Sequence, residues 1–263
     1  MTRTDNLSAK DYHARDAFSY SVAKRILDNP NKWALGVDIK RTSAIDFGSL
    51  AHDMILSPNE LDTKYLFGDF DKTDMRVSAC KNAKAYADER GLILVDKNTQ
   101  KIANECISAN KDILNRYLQN GRNEVSFFGE LQGVETKCRA DFISNDNSLI
   151  IDLKFVADAT KDGFTQAVAK FGYYIQNALY CDLIGAKRFL FIAIEKEAPF
   201  LCGIYEITPE SVEFGRERYL KALEMYKNIE LYKTQHYSEV DIGFCTQSEI
   251  QSVTLPVWAF YKD

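Results

Sequence analysis

The chain has 263 residues, of which 46% are hydrophobic and 27% are charged, and its net charge at pH 7 is −5. This length and composition exclude wholesale disorder and favour one domain over residues 1–263. The excess of acidic residues disfavours sequence-independent binding of nucleic acid over the whole surface, but it does not exclude a local basic channel. No apolar run reaches the roughly 18 residues of a membrane span, and the opening residues are too polar for a signal peptide, so we expect a cytoplasmic protein without a membrane partner. Six scattered cysteines without a C-x-x-C pair, and only three histidines, argue against structural zinc or an iron–sulfur cluster and indicate reduced thiols.

The N-terminal part is expected to form two helices. Apolar residues at helical spacing predict a helix over residues 17–28, which ends before Pro30 and is followed by Trp33 in a loop. A second helix is expected from about Ser43, which would be its N-cap, to Leu56.

The middle third of the chain has the pattern of a scaffold. A charged, irregular segment over residues 59–76 contains a short predicted strand near 65–67. Helical patterns follow over 77–90 and 98–120, and a short strand or buried connector at 92–95 separates them.

From Val125 the hydrophobic period changes from about 3.6 to about 2, which indicates strands. Strands over 125–130 and 134–143 form a predicted hairpin, and a third strand covers 149–155. The remaining predicted elements are, in order, a helical stretch over 160–184 with a break near Gly172, strands over 187–195 and 200–207, and a long helix over 209–233. The length of the chain fits one large α/β domain built from these elements, or one domain with a small appendage.

The third strand is an apolar run that one acid and one base interrupt. Strand periodicity places Asp152 and Lys154 on one face and four apolar side chains on the other, so we expect the strand to bury one side and to present two opposite charges from the other. The same acid-x-lysine spacing occurs at Asp38 and Lys40, at Asp62 and Lys64, and at Glu135 and Lys137. Spacing alone therefore does not distinguish a functional pair from a solvated cross-strand ion pair.

A second acid, Asp141, lies near the end of the preceding strand. Neighbouring antiparallel strands are about 4.8 Å apart, so Asp141 and Asp152 could bind a common divalent cation. Mg²⁺ or Mn²⁺ suits such oxygen ligands, and a lysine two residues from one of them could orient or deprotonate an attacking water. The chemistry indicated is metal-assisted hydrolysis of a phosphodiester.

The strand that carries this second acid is expected to alternate strictly. One side would carry Lys137, Arg139 and Asp141, and the other side Cys138, Ala140 and Phe142. Arg139 would either neutralise a substrate phosphate or pair with the acids.

Three further polar residues admit two interpretations each. His52 is either a metal ligand or a hydrogen-bonded core residue. Gln176 and Tyr180 lie four residues apart on one helix, where they either contact a phosphate or hold the lysine, or simply belong to an amphipathic helix.

Taken in order along the chain, these residues resemble the PD-(D/E)XK nucleases, and within them the RecE-type exodeoxyribonuclease VIII of phages and prophages. The segments that carry the resemblance are Asp11 to Ala14, Ile45 to Pro58, Cys138 to Asp141, Ile150 to Lys154, Tyr174 to Tyr180 and Leu255 to Ala259. Each segment is weakly specific alone, and their order and spacing make the joint match specific. Phe155 and Val156 depart from the small hydroxyl residues common after the lysine in that family.

The resemblance implies a fold and a set of roles. The fold is a central mixed β-sheet flanked by α-helices. The implied metal ligands are His52, Asp141, Asp152 and the backbone carbonyl of Leu153, which would hold two Mg²⁺ (or Mn²⁺) ions. The implied catalytic residues are Lys154, acting on the attacking water, with Asp141, Asp152, Gln176 and Tyr180; Gln176, Tyr180 and Arg139 would contact substrate, and Glu124 would be a supporting acid.

The resemblance also implies an activity. Such enzymes degrade one strand of linear double-stranded DNA from its 5′ end and leave a 3′ overhang for a single-strand-annealing recombinase. They act as ring-shaped homo-oligomers in the cytoplasm of a bacterial host cell, and here we expect a tetramer, with a trimer as the alternative. Two other functions stay open: an endonuclease or structure-specific nuclease of the same superfamily, and a catalytically inactive DNA-end-binding module of the same fold.

Overall fold

The computed structural model describes residues 2–4, 7–34, 36 and 47–233. The predicted N-cap at Ser43, the beginning of the segment from Ile45 and the segment Leu255 to Ala259 lie outside the described residues. Among the described residues, no helix combines the length and the apolar character needed to cross a membrane.

Eight strands and eleven α-helices are present in the described part of the chain. The strands are β1 (Thr2–Thr4), β2 (Tyr65–Phe67), β3 (Ile93–Val95), β4 (Gly121–Leu131), β5 (Val134–Ser144), β6 (Leu149–Val156), β7 (Arg188–Glu195) and β8 (Cys202–Glu206). The helices are α1 (Ala9–Ala14), α2 (Tyr20–Asp28), α3 (Pro30–Ala34), α4 (Phe47–Leu56), α5 (Leu61–Lys64), α6 (Ser78–Glu89), α7 (Lys97–Ala109), α8 (Lys111–Tyr117), α9 (Lys161–Phe171), α10 (Tyr173–Ile184) and α11 (Pro209–Lys233).

The central sheet has six strands in the order β1-β4-β5-β6-β7-β8. Strands β4, β5 and β6 are consecutive antiparallel neighbours, whereas β6 and β7 are parallel because α9 and α10 connect them in a crossover. Strand β8 then pairs antiparallel with β7. The sheet is thus mixed and flanked by helices, which confirms the predicted fold class.

Helices cover both faces of β6. Ile150 and Val156, on the same side of the strand as Asp152, pack into a core cluster with side chains of α2, α9, α10 and α11. Ile151 and Leu153, on the other side, pack with Leu56, Cys106 and Leu114 of α4, α7 and α8. The expectation that this strand buries only one side was wrong, because a central strand in an α/β sheet is enclosed by helices on both faces.

The sheet opens between β5 and β6. These strands are paired only at Phe142 with Ile151 and at Ile143 with Ile150, whereas β6 and β7 are paired along their whole length. In the opening, Oδ2 of Asp141 accepts a hydrogen bond of 2.9 Å from the backbone N–H of Leu153. A side chain therefore replaces the ladder at the point where the two strands separate.

Strict alternation in β5 was also predicted wrongly. Cys138 and Ala140 belong to the core cluster beside α10, but Phe142 belongs to the cluster on the opposite face. The interruption falls at Asp141, opposite Glu124 in β4, whose φ of 54° lies in the left-handed region. The local backbone of both strands therefore reverses the faces and brings these two carboxylates to the opening.

Several boundaries differ from the predicted ones. Trp33 lies in α3, which Pro30 opens, and not in a loop. The single helix expected over 98–120 is divided at Asn110, whose Nδ2 donates to the backbone oxygens of Cys106 and Phe200, each at 3.0 Å. Strand β1 and helix α1 were not predicted. The predicted break near Gly172 is confirmed, since this residue separates α9 from α10 with a φ of 75°.

Helix α1 is held against the sheet by a buried lysine, which gives a stability prediction. Lys137 is 7% exposed, and its Nζ donates to the backbone oxygens of Tyr12, at 2.8 Å, and of Arg15. Lys137→Met should lower the free energy of unfolding by about 1–3 kcal/mol, because two carbonyls lose their donor in a desolvated site. Urea unfolding measures this change. Lys24→Met, which removes an exposed ion pair with Asp28, is the control and should cost less than about 0.5 kcal/mol.

Candidate active site

Four elements meet at the opening of the sheet. Helix α4 contributes His52, β4 contributes Glu124, and β5 contributes Asp141. Strand β6 contributes Asp152 and Lys154 from the side that α10 covers. The polar residues therefore form two adjoining groups that share the boundary between β5 and β6.

The first group has the composition of a metal site. Nε2 of His52 lies 3.0 Å from Oδ2 of Asp141, and its Nδ1 lies 3.8 Å from Oε1 of Glu124. One possible ligand atom from each of these three residues lies within 4.8 Å of the others. Ligand atoms bound to one Mg²⁺ at about 2.1 Å are separated by up to about 4.2 Å, so small side-chain movements would complete the geometry. One imidazole and two carboxylates thus fit a divalent cation.

The charges of this group also favour a cation. Burial lowers the pKa of His52, but the adjoining Asp141 carboxylate and its hydrogen bond outweigh this effect and raise the pKa to about 11. Burial raises the pKa of Asp141, but His52 lowers it below its usual range. The pKa of Glu124 is raised by burial and then by the neighbouring Asp141. An imidazolium therefore balances carboxylates that a bound cation would balance instead.

The second group consists of Asp152, Lys154 and Gln176. Asp152 is 2% exposed, and its Oδ1 accepts a hydrogen bond of 2.5 Å from Nε2 of Gln176. Its Oδ2 is in ion-pair contact with Nζ of Lys154, although no hydrogen bond of favourable angle reaches that oxygen. Burial and the nearby Asp141 raise the pKa of Asp152 to about 6, against the opposing effect of Lys154.

The ammonium group of Lys154 is held from two sides. Burial lowers its pKa, but Asp152 and Asp141 raise it above the usual range, so the lysine carries a full charge at neutral pH. Its Nζ also lies 4.8 Å from the centre of the Tyr173 ring, at the start of α10. The lysine is thus fixed between a carboxylate and an aromatic ring at the edge of the opening.

Comparison with known proteins identifies the family. A profile of the PDDEXK-like domain of unknown function (DUF3799) matches residues 17–243. The chain belongs to this family. No curated protein matches the sequence of this DUF3799 domain. The PD-(D/E)XK assignment is therefore confirmed, whereas the RecE-type assignment stays a prediction.

Three solved structures match the DUF3799 domain to different extents. The crystal structure of a protein described as "Putative exonuclease", from Eubacterium rectale, matches with a TM-score of 0.60 at 18% identity, over 98% of this chain and 99% of that one. An alkaline exonuclease from Laribacter hongkongensis matches with a TM-score of 0.33 at 14% identity, over 61% of this chain and 87% of that one. A phage related exonuclease from Haemophilus somnus matches with a TM-score of 0.32 at 14% identity, over 67% and 95%. The first match shows a common architecture at low sequence identity.

The structure brings most of the predicted site residues of the DUF3799 domain together. His52, Asp141, Asp152, Lys154 and Gln176 all lie at the opening. The arrangement around them differs from the expected one, because the group with metal-site spacing contains Glu124, which the sequence suggested only as a supporting acid, and does not contain Asp152.

Arg139 and Tyr180 have structural partners. Nε of Arg139 donates to Oε2 of Glu124 at 2.5 Å, so the guanidinium pairs with an acid, which was one of its two interpretations. Tyr180 is 8% exposed and packs edge-on against Phe189 in the core. Leu153 offers its N–H to Asp141, and the role of its carbonyl as a ligand stays a prediction.

Sequence reasoning missed two neighbours of the site. Asp53 follows His52 in α4, accepts hydrogen bonds from Lys64 at 3.0 Å and from the Tyr65 hydroxyl at 2.8 Å, and thereby ties α4 to β2. Tyr173, whose ring lies under the ammonium group of Lys154, was not predicted to have a role. No periodic pattern in the sequence connects Tyr173 with Lys154. Asp53 could have been suggested only because it is an acid adjacent to His52.

Gln176 and Tyr180 give a paired prediction. Gln176→Leu should lower kcat for any reaction at this site by about 10–100-fold with little change in KM, because Asp152 loses the amide that orients it. Tyr180→Phe, one turn further along α10, should leave kcat within a factor of about three. Phenylalanine keeps the ring that packs in the core and removes only the hydroxyl. Steady-state kinetics of both variants measure these effects. A large loss in Tyr180→Phe alone would instead support the catalytic role that the resemblance implies.

Proposed function

We propose that this DUF3799 domain is a divalent-metal-dependent exonuclease that degrades one strand of linear double-stranded DNA. The observation that carries the proposal is the opening between β5 and β6, where Asp141 meets His52 on one side and Asp152 meets Lys154 on the other. Two acids, an imidazole and a lysine at one gap in a sheet are suited to phosphodiester hydrolysis. A solvated ion pair on an open strand face would not need this enclosure.

The residues have separable tasks in this mechanism. His52, Glu124 and Asp141 would hold a divalent cation, and Asp152 with the Leu153 carbonyl would complete a second position once Lys154 moves from the carboxylate. A bound divalent cation supplies charge neutralisation at the phosphate and lowers the pKa of water. Gln176 keeps Asp152 in place through the hydrogen bond to Oδ1.

Lys154 acts first as a charged hydrogen-bond donor. Its raised pKa keeps the ammonium protonated while both carboxylates are ionised, so it can orient the attacking water or stabilise negative charge on the phosphate oxygens. Loss of its proton would become easier only when positive charge replaces it beside Asp152. The same side chain can therefore serve in substrate binding and in the hydrolytic step.

The finer features of the proposal come from the resemblance to RecE-type enzymes. We propose 5′-to-3′ polarity, a 3′ single-stranded product that an annealing recombinase receives, and a ring-shaped homo-oligomer. The acidic net charge of −5 is compatible with these features, because only the surface facing DNA needs to be basic.

The test is a set of duplexes labelled separately at each 5′ and each 3′ end, in linear form and as covalently closed circles. With Mg²⁺ or Mn²⁺, the linear duplex should lose its 5′ labels first, and the circle should stay intact. Cutting of the circle would assign the alternative endonuclease activity. Absence of cleavage with every divalent metal, together with retained DNA binding, would overturn the proposal in favour of an inactive DNA-end-binding module.

A further inference from the structure

A pair of stacked aromatic rings, Phe171 and Tyr173, adjoins the lysine of the site. The rings of Phe171 and Tyr173 are stacked, with centroids 5.6 Å apart and an interplanar angle of 26°. Tyr173 contacts Lys154, and Phe171, one ring further out, is 42% exposed. The exposed Phe171 ring extends the stack that begins beside Lys154, so it offers an aromatic surface on which a planar ligand can stack next to the site.

The aromatic pair is rigid because the core fixes the ring of Tyr173. Tyr173 stacks at 5.7 Å on Phe191 of β7 and at 6.1 Å on Phe164 of α9. The outer residue ends α9, and its backbone oxygen accepts a hydrogen bond of 2.5 Å from the hydroxyl of Tyr20. Gly172 makes the turn between the two rings in the left-handed conformation, and its N–H donates to Val168.

Positive charge lies at both ends of the aromatic pair. Lys154 is next to the inner ring, and Nζ of Lys170 lies 5.4 Å from the centre of the Phe171 ring. A planar ligand flanked by phosphates matches this order of cation, aromatic surface and cation. Nucleobases stack on aromatic side chains without regard to sequence, while lysines bind the backbone phosphates.

We propose that Phe171 and Tyr173 form a stacking platform for an unpaired base of the DNA strand that is cut at Lys154. Inside a duplex both faces of a base are covered by its neighbours, so the platform takes a base at a strand end. The Lys154 side chain is only 18% exposed, so this strand has to leave the duplex to reach the lysine. The inference rests on the proposed nuclease function and specifies its substrate as a strand end that has left the duplex.

The test uses DNA with the fluorescent base 2-aminopurine at its 5′-terminal position, titrated with protein and Ca²⁺. Phe171→Ala should raise Kd for single-stranded and frayed ends about tenfold or more, and should abolish the fluorescence change of the stacked base. Phe171→Leu keeps an apolar side chain without a ring and should behave in the same way. The matched control is Phe214→Ala, which removes a ring that is 52% exposed and stacks on Tyr174 at 5.6 Å; it should bind DNA like the wild type.

The outcomes separate the two proposals. If Phe171→Ala and Phe171→Leu bind and quench like the wild type while the wild type cleaves DNA, the platform is wrong and the nuclease function stands. If the wild type cleaves no DNA but both variants lose the fluorescence change, the platform stands and the nuclease function fails. Equal losses in the Phe171 variants and in Phe214→Ala would also overturn the platform, because they would report a general effect on the α10 region.

Discussion

Lys154→Ala should lower kcat for DNA hydrolysis by about 10³-fold. In the structure the ammonium group contacts Oδ2 of Asp152, and it lies at the opening where a phosphate would enter. Alanine removes the donor that would orient water and stabilise charge on the phosphate. Because the change leaves His52, Glu124 and Asp141 in place, their ability to bind a divalent cation should survive. The two effects can be measured separately, by steady-state kinetics and by calorimetric titration with Mn²⁺.

The sign of the metal effect is a second part of this prediction. Lys154 occupies Oδ2 of Asp152, so its removal frees a carboxylate oxygen, and Mn²⁺ affinity should stay equal or increase. Lys84→Ala, which removes a lysine paired with Asp88 on the exposed side of α6, is the control and should change neither quantity. If Lys154→Ala kept more than a tenth of the wild-type kcat, the lysine would lie outside the reaction.

Local pattern was sufficient to predict the part of the site that lies on one strand. An apolar run with a period of two predicted β6, and the spacing of Asp152 and Lys154 placed both on one side, where they contact each other. These features depend on residues that are near each other in the sequence, which is where periodicity carries information. The mixed sheet was implied by the resemblance to a family.

The contacts across the site depended on tertiary structure. The left-handed backbone of Glu124 and the change of faces at Asp141 interrupt the alternation of side chains along β4 and β5. No sequence pattern in either strand predicts this interruption. The division of the helix at Asn110 depends on an acceptor at Phe200, ninety residues later. The resemblance to a family supplied His52, but the position of Glu124 beside it follows from how α4 packs over the opening.

Glu124→Gln and His52→Ala should each weaken Mn²⁺ binding by about 10–100-fold, even though the sequence suggested only a supporting role for the glutamate. Glu124 offers one oxygen to a group whose possible ligand atoms lie within 4.8 Å, and its other oxygen is held by Arg139. Glutamine keeps the size of the side chain but removes its charge, so the loss reports the carboxylate. Calorimetric titration of the folded variants measures the affinity, and Glu60→Gln, an exposed acid paired with Lys64, should leave it unchanged.

Arg139→Gln distinguishes a ligand from a support. This variant breaks the same ion pair but leaves the carboxylate of Glu124 in the group. If Glu124 binds the metal directly, Mn²⁺ affinity in Arg139→Gln should be retained or increased, because one neighbouring positive charge has gone and the ligand remains. If Glu124 acts only by fixing Arg139, Glu124→Gln and Arg139→Gln should instead lose Mn²⁺ affinity to the same extent. Equal losses would return Glu124 to the supporting role and leave the metal to His52, Asp141 and Asp152, as the resemblance implies.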